Sequence, residues 1–237
     1  FFILCFILLW YEYIYFTRGQ KLPKNVDLVH YPYFEPFSLT LPLRKPKPTV
    51  VTIHDLIPLV FPNKFPKGFK GEIKWQIQKF SLGGVSAVIA DSENSKKDII
   101  KYGGYPEDKI YVVYLAPAEI FKPLRTSSSI IRIIEQKYNL PGNFILYVGD
   151  VNWNKNISGL IGAFSILAKS LSLQLVLVGE AFKNTILPQM REIFQLINQL
   201  KLKEKIRFLG FVPRDDLVGI YNLATVYVQP SFYETSS

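Results

Sequence analysis

Residues 144 to 178 constrain the fold more than any other stretch. The run Phe144 to Val148 is wholly apolar and stops at Gly149. A polar loop carrying Lys155 and Asn156 follows. Then Ile157, Leu160, Ile161, Phe164 and Leu167 recur at helical spacing, and a second buried strand, Leu173 to Val178, closes on Gly179. Short apolar runs without alternation mark strands buried on both faces, and the 3.6-residue period marks a helix between them. A strand–loop–helix–strand unit of this kind builds a parallel sheet. Ligands of such sheets lie beyond the carboxyl ends of the strands. The loop lysine and the N–H groups opening the helix are therefore placed to meet an anion, a phosphate above all.

The same alternation runs through the chain. Strands are predicted at Val26–His30, Val50–Ile53, Ala87–Ala90, Ile110–Tyr114, Ile206–Leu209 and Val226–Gln229. Helices are predicted from near Glu72, after Ser92 and Ser95 as a capped start, over Ile186–Leu200 and over Asp215–Leu223. Residues 116 to 129 contain Pro and Ser and no periodic element, which makes them the domain boundary. The expected division is 1–122 and 123–237. With 237 residues, 49% hydrophobic and 20% charged, the chain has the composition of a globular protein of two modest domains. It opens on Phe rather than Met and closes on Tyr-Glu-Thr-Ser-Ser after a strand, which reads as a fragment cut at both ends.

Composition removes several function classes. One cysteine, Cys5, makes neither an intramolecular disulfide nor a metal cage, and two separated histidines give zinc little support. No dinucleotide fingerprint, P-loop or hydrolase elbow is present. The net charge of +9 suits phosphate-bearing ligands, anionic lipid or nucleic acid, without choosing among them. Residues 1 to 16 are very apolar, but Glu12 interrupts a run already shorter than the roughly 20 residues a spanning helix needs; a core helix is expected. Phe61 to Phe80 interleaves lysines with Phe61, Phe65, Phe69 and Trp75. That pattern suits a headgroup-level membrane contact and also an ordinary solvated helix face. His54-Asp55 ends a buried strand, where α/β proteins place chemistry. The alternative is that Asp55 caps local backbone and His54 merely packs.

The ordered segments DLVHYPYF, VVTIHDLIPLVFP and VIADSENSKKDII in the first half, with LYVGDVNWNKNISGLIGAF, LQLVLVGE and IRFLGFVPRDDLVGIYNLATVYVQPSFYE in the second, resemble the retaining glycosyltransferases of family four, of the GT-B fold. The resemblance implies an α/β fold of two Rossmann-like domains, their parallel sheets facing across a cleft, both incomplete here. It implies transfer of a hexose, mannose or similar, from a GDP- or UDP-sugar to a glycan or lipid-linked acceptor in cell-surface polysaccharide assembly. Retention at the anomeric carbon, no metal and no nucleic acid are expected with it, at a cytoplasmic site or peripherally at the inner face of the membrane. By the resemblance, His54 lies on the acceptor side and Glu234 against the donor sugar. Donor contacts fall to Gly149, Lys155, Asn156, Gly179, Val212, Thr235 and Ser236. Lys155 matches the basic residue on the diphosphate. Asp150 stands where the family often has an arginine, and Thr235-Ser236-Ser237 stands where it commonly has Gly-Phe-Gly. A catalytically inactive binding or scaffold protein on the same fold is the alternative, and the 237-residue piece alone is expected to be inactive.

Overall fold

A computed structural model describes residues 25–124 and 129–235. The apolar run at residues 1–16 and Ser236 lie outside the described residues. Contacts divide the chain into two compact units, one ending at Ala116 and the other covering Pro117–Tyr233, with Glu234 and Thr235 grouped with the first.

The first unit holds a four-stranded parallel sheet in the order β1 (Val29–Tyr31), β2 (Thr49–Ile53), β3 (Ala87–Ala90) and β4 (Ile110–Val112). The strands at both edges are shorter than their apolar runs suggested. Edge strands pair on one side only: β1 pairs with β2 along Thr49, Val50 and Val51, and β4 pairs with β3 along Val88, Ile89 and Ala90. A four-residue turn of helix, α1 (Ile57–Val60), follows β2, and α2 (Gly68–Leu82) begins four residues before Glu72. The Lys67 ammonium pairs with Glu72 across that first turn. Helix α3 (Glu93–Asp98) starts as expected, with the Ser92 hydroxyl accepting from the Ser95 N–H at 3.1 Å, and runs on as a π-helical turn at Ile99–Gly103. Val51, Ile53, Val88 and Ala90 pack with Trp75, Leu82 and Ile99 into one core. Gln78 is fully buried and ties the connection before β2 to α2. Its carbonyl accepts from the Leu41 N–H at 2.9 Å, and its amide donates to the Leu41 carbonyl at 3.0 Å.

The second unit is a parallel sheet in the order β7 (Ile206–Gly210), β6 (Gln174–Val178), β5 (Phe144–Val148), β8 (Val226–Tyr227). Helices cover both faces, and this explains the unbroken apolar runs. Ile145, Tyr147, Leu175 and Leu177 point to the side of α5 (Ile157–Leu167) and α6 (Pro188–Gln199). Phe144, Leu146, Val176 and Val178 point to the side of α4 (Ser129–Lys137) and α7 (Arg214–Leu223). Helix α4 is an element that the sequence reading did not assign. It starts at Ser129, where only an aperiodic boundary was expected. Only Ile131 and Ile134 of its four isoleucines are buried, while Ile130 and Ile133 face solvent. The four isoleucines do keep helical spacing, but the run is short, β-branched and adjoins the Pro- and Ser-containing boundary. On α6 the buried face is Met190, Ile193 and Ile197, with Leu187 and Phe194 partly buried beside it.

Strand β5 is the first of its sheet, with β6 on one side and β8 on the other. The chain therefore changes direction across the sheet at β5 and β8, which is the position where open α/β sheets leave a crevice at their carboxyl edge.

Candidate functional site

In the second unit the carboxyl ends of three strands are joined rung to rung. The Gly149 N–H donates to the Val178 carbonyl at 2.9 Å, and the Gly179 N–H donates to the Gly210 carbonyl at 2.9 Å. Gly179 has φ +154°, and a Cβ placed on it would lie 2.0 Å from the Gly149 oxygen. Only glycine lets these two strand ends approach so closely. Above this floor opens a cleft of about 900 Å³, lined by Val148, Gly149, Asp150, Gly179, Phe211 and Val212, among others. Gly149, Gly179 and Val212, three of the residues singled out in the sequence, are brought together here. Glu180 and Lys183 line the same cleft and were not singled out. Their signal was available in outline, since they follow the glycine that ends β6.

Lys155 and Asn156 do not line this cleft. Lys155 ends a one-turn 3-10 helix, Trp153–Lys155, and is half-buried. Asn156, left-handed at φ +54°, caps α5. Its side-chain carbonyl accepts from the Gly159 N–H at 3.2 Å, and its amide donates to the Pro230 carbonyl at 3.0 Å. Both ends of that side chain are thus committed to local structure. The Phe232 N–H donates to the Asn154 carbonyl at 2.8 Å, and the Trp153 and Phe232 rings lie 5.1 Å apart. The loop after β5 and the segment after β8 are thereby fastened together at the crevice. Asp150 is a turn residue. Its carboxylate accepts from the Val151 N–H at 2.7 Å and from the Asn152 amide at 2.9 Å.

In the first unit the register pairs Ile53 with Ala90, so the next residue of each strand, His54 and Asp91, stand side by side. His54 Nδ1 is 2.7 Å from Asp91 Oδ2, and Nε2 is 3.0 Å from the Pro32 carbonyl. Asp91 is buried and was not singled out in the sequence. A ring that donates from both nitrogens carries two protons and a positive charge. Desolvation of the ring opposes that charge. The hydrogen bond and charge of Asp91, the Pro32 carbonyl and the charge of Asp55 outweigh it, and the His54 pKa is raised above the ordinary histidine value. Asp55 caps local backbone, accepting from the Ile57 N–H at 3.0 Å. Thr235 is buried, and its carbonyl accepts from the Ser95 hydroxyl at 3.1 Å and from that of Ser92. Glu234 precedes it in the same unit.

Along Phe61 to Phe80, Trp75 is buried in the core while Phe69 and Phe80 are exposed among the lysines. Among the described residues no helix is long and apolar enough to cross a membrane, and no three His, Cys, Asp or Glu side chains gather at one point.

Two family models match the chain. Glycosyltransferase Family 4 covers residues 6–116, and Glycosyl transferases group 1 covers residues 131–236. The serotype-specific mannosyltransferase WbdA of Escherichia coli is 31% identical over 193 residues, which is 80% of this chain and 23% of WbdA. The O-antigen chain mannosyltransferase B of Escherichia coli is 29% identical over 209 residues, 88% of this chain and 53% of that protein. The chain thus spans about half or less of these relatives. Among solved structures, Anabaena HepE in complex with UDP-glucose superposes with a TM-score of 0.63 at 22% identity, over 80% of this chain and 48% of HepE. Two parallel sheets, a glycine-floored cleft at the carboxyl ends of the strands, and a family match on each half converge on one assignment: the chain belongs to the glycosyltransferases of the GT-B fold.

Proposed function

We propose that the whole protein transfers a hexose, mannose or similar, from a nucleoside diphosphate donor to a glycan or lipid-linked acceptor in the assembly of a cell-surface polysaccharide. The observation that carries this reading is the cleft over Gly149, Gly179 and Val212. It has the size of a nucleoside site, about 300–1,000 Å³, and sits where α/β sheets bind nucleotides. The mannosyltransferase relatives support the sugar, and HepE, solved with UDP-glucose, supports a nucleotide-sugar donor.

In this reading the donor diphosphate extends beyond the cleft to Lys155 and to the N–H groups opening α5 that Asn156 leaves uncapped. Negative charge grows on the leaving diphosphate as the glycosidic bond breaks, and fixed positive groups aimed at it lower the barrier. Glu234 faces the donor sugar, where positive charge develops on the ring, and transfer proceeds with retention. Thr235 offers a backbone N–H group beside it. His54, held by Asp91, is a fixed cation on the acceptor side rather than a general base. Fixed cations serve the diphosphate in place of a metal. The exposed Phe69 and Phe80 support a peripheral contact with the inner face of the membrane, where lipid-linked acceptors reside.

The test is thermal stabilisation of the full-length protein by a panel of GDP-, UDP- and ADP-sugars. One donor is expected to raise the melting temperature, and Lys155→Ala and Glu234→Ala are expected to diminish the shift. No shift with any donor would favour a binding or scaffold role on the same fold.

A further inference from the structure

This inference rests on the cleft's being the nucleotide site and concerns which base it takes. We infer that Glu180 and Lys183 form a base-reading pair that selects guanine nucleotides. Both belong to the one-turn 3-10 helix Glu180–Lys183 that leaves the end of β6. Residues three apart on such a helix lie on the same side, and both side chains line the cleft. Among the described residues neither has a hydrogen-bond or ion-pair partner, and they do not pair with each other. An anion and a cation thus face the same cavity with their bonding capacity open.

Lys183 is also seated. Its methylene stem lies across Gly210 so closely that a Cβ on Gly210 would come within 2.2 Å of the lysine Cε. The ammonium is therefore held near the end of β7, next to Phe211 and Val212. Those two residues, with Leu187 and Leu217, give the cleft apolar walls suited to a flat ring.

The guanine edge presents a carbonyl acceptor beside two N–H donors. A carboxylate accepts from the two donors in parallel, and an ammonium donates to the carbonyl. Uracil presents one N–H between two carbonyls, so a carboxylate facing that N–H also meets a carbonyl lone pair. Adenine presents one amino donor beside a ring acceptor, which satisfies each charged group once but gives the carboxylate no second bond. The pair therefore ranks guanine over adenine over uracil.

The test is calorimetric titration of the full chain with GDP, ADP and UDP. GDP is expected to bind at least about tenfold more tightly than UDP, as one well-placed bidentate contact confers about 5- to 150-fold discrimination. Glu180→Gln and Lys183→Met are each expected to lower GDP affinity at least about fivefold more than UDP affinity, removing most of that preference. Both positions are exposed, and Lys183→Met keeps the stem over Gly210, so an unchanged melting temperature verifies the fold. UDP binding as tightly as GDP would overturn the inference and leave the nucleotide site standing. An equal loss across all three nucleotides in Lys183→Met would also overturn it, because that is the signature of a phosphate contact. No binding of any nucleotide would overturn the site reading and this inference together.

Discussion

A single methyl group added at Gly179 and at Gly162 should have opposite effects, although the chemical change is the same. At Gly179 the new Cβ would fall 2.0 Å from the Gly149 oxygen, while a carbon normally keeps about 3.3 Å or more from an oxygen. The Gly149 carbonyl would have to move by more than about 1 Å. The N–H of the same residue donates to the Val178 carbonyl, and the Gly179 N–H donates to the Gly210 carbonyl, each at 2.9 Å. An alanine at φ +154° costs about 1–3 kcal/mol in backbone strain, and each strand-end hydrogen bond lost adds about 0.5–1.5 kcal/mol. Gly179→Ala is thus expected to destabilise the second unit by about 2–6 kcal/mol. At Gly162, inside α5, nothing lies within 4 Å of the added methyl, and the gain in helix propensity is about 0.8–1 kcal/mol. The assay is urea unfolding followed by the fluorescence of Trp153, which lies in the second unit, in a background where Trp10 and Trp75 are phenylalanine. A Gly179→Ala chain as stable as the parent, or stabilised like Gly162→Ala, would refute the close-approach argument and with it the glycine floor of the cleft.

Three further outcomes are expected. Gln78→Leu strands the buried N–H of Leu41 and weakens the hold on its carbonyl, so the first unit should lose about 2–4 kcal/mol in chemical denaturation; a loss below about 1 kcal/mol would show that water replaces the amide. Because the His54 pKa is raised in the folded chain, its contribution to stability is complete below the ordinary histidine pKa and is lost as pH rises through the folded value. Between about pH 6 and about pH 8.5 the parent should therefore lose more melting temperature than Asp91→Asn; parallel curves would mean that Asp91 does not hold His54 charged. Phe80→Ser should reduce sedimentation with vesicles rich in anionic lipid without lowering the melting temperature, as its ring is 78% exposed. Unchanged sedimentation would place any membrane contact elsewhere.

Much of the fold was legible because both sheets are buried on two faces. Runs such as Phe144–Val148 and Leu175–Val178 stay apolar throughout, and their lengths and terminal glycines distinguish them from helices. Helix α5 was legible because its buried positions keep helical spacing and an asparagine opens it. Helix α4 was not assigned although its isoleucines keep helical spacing, because its nine residues are rich in β-branched side chains and directly follow the aperiodic boundary.

The sequence by itself determined the order of strands and helices, the glycines at their carboxyl ends and the family, because each of these is written in local pattern and spacing. Tertiary structure alone decided which strand ends lie side by side. Register, not sequence distance, set His54 against Asp91, 37 positions away. Sheet order put β8 next to β5, so that Asn156 could bond Pro230 across 74 positions. The same packing laid Lys183 over Gly210 and brought it into the cleft with Glu180. Local propensity carries no information about such pairs, because their energy exists only once the sheet has formed.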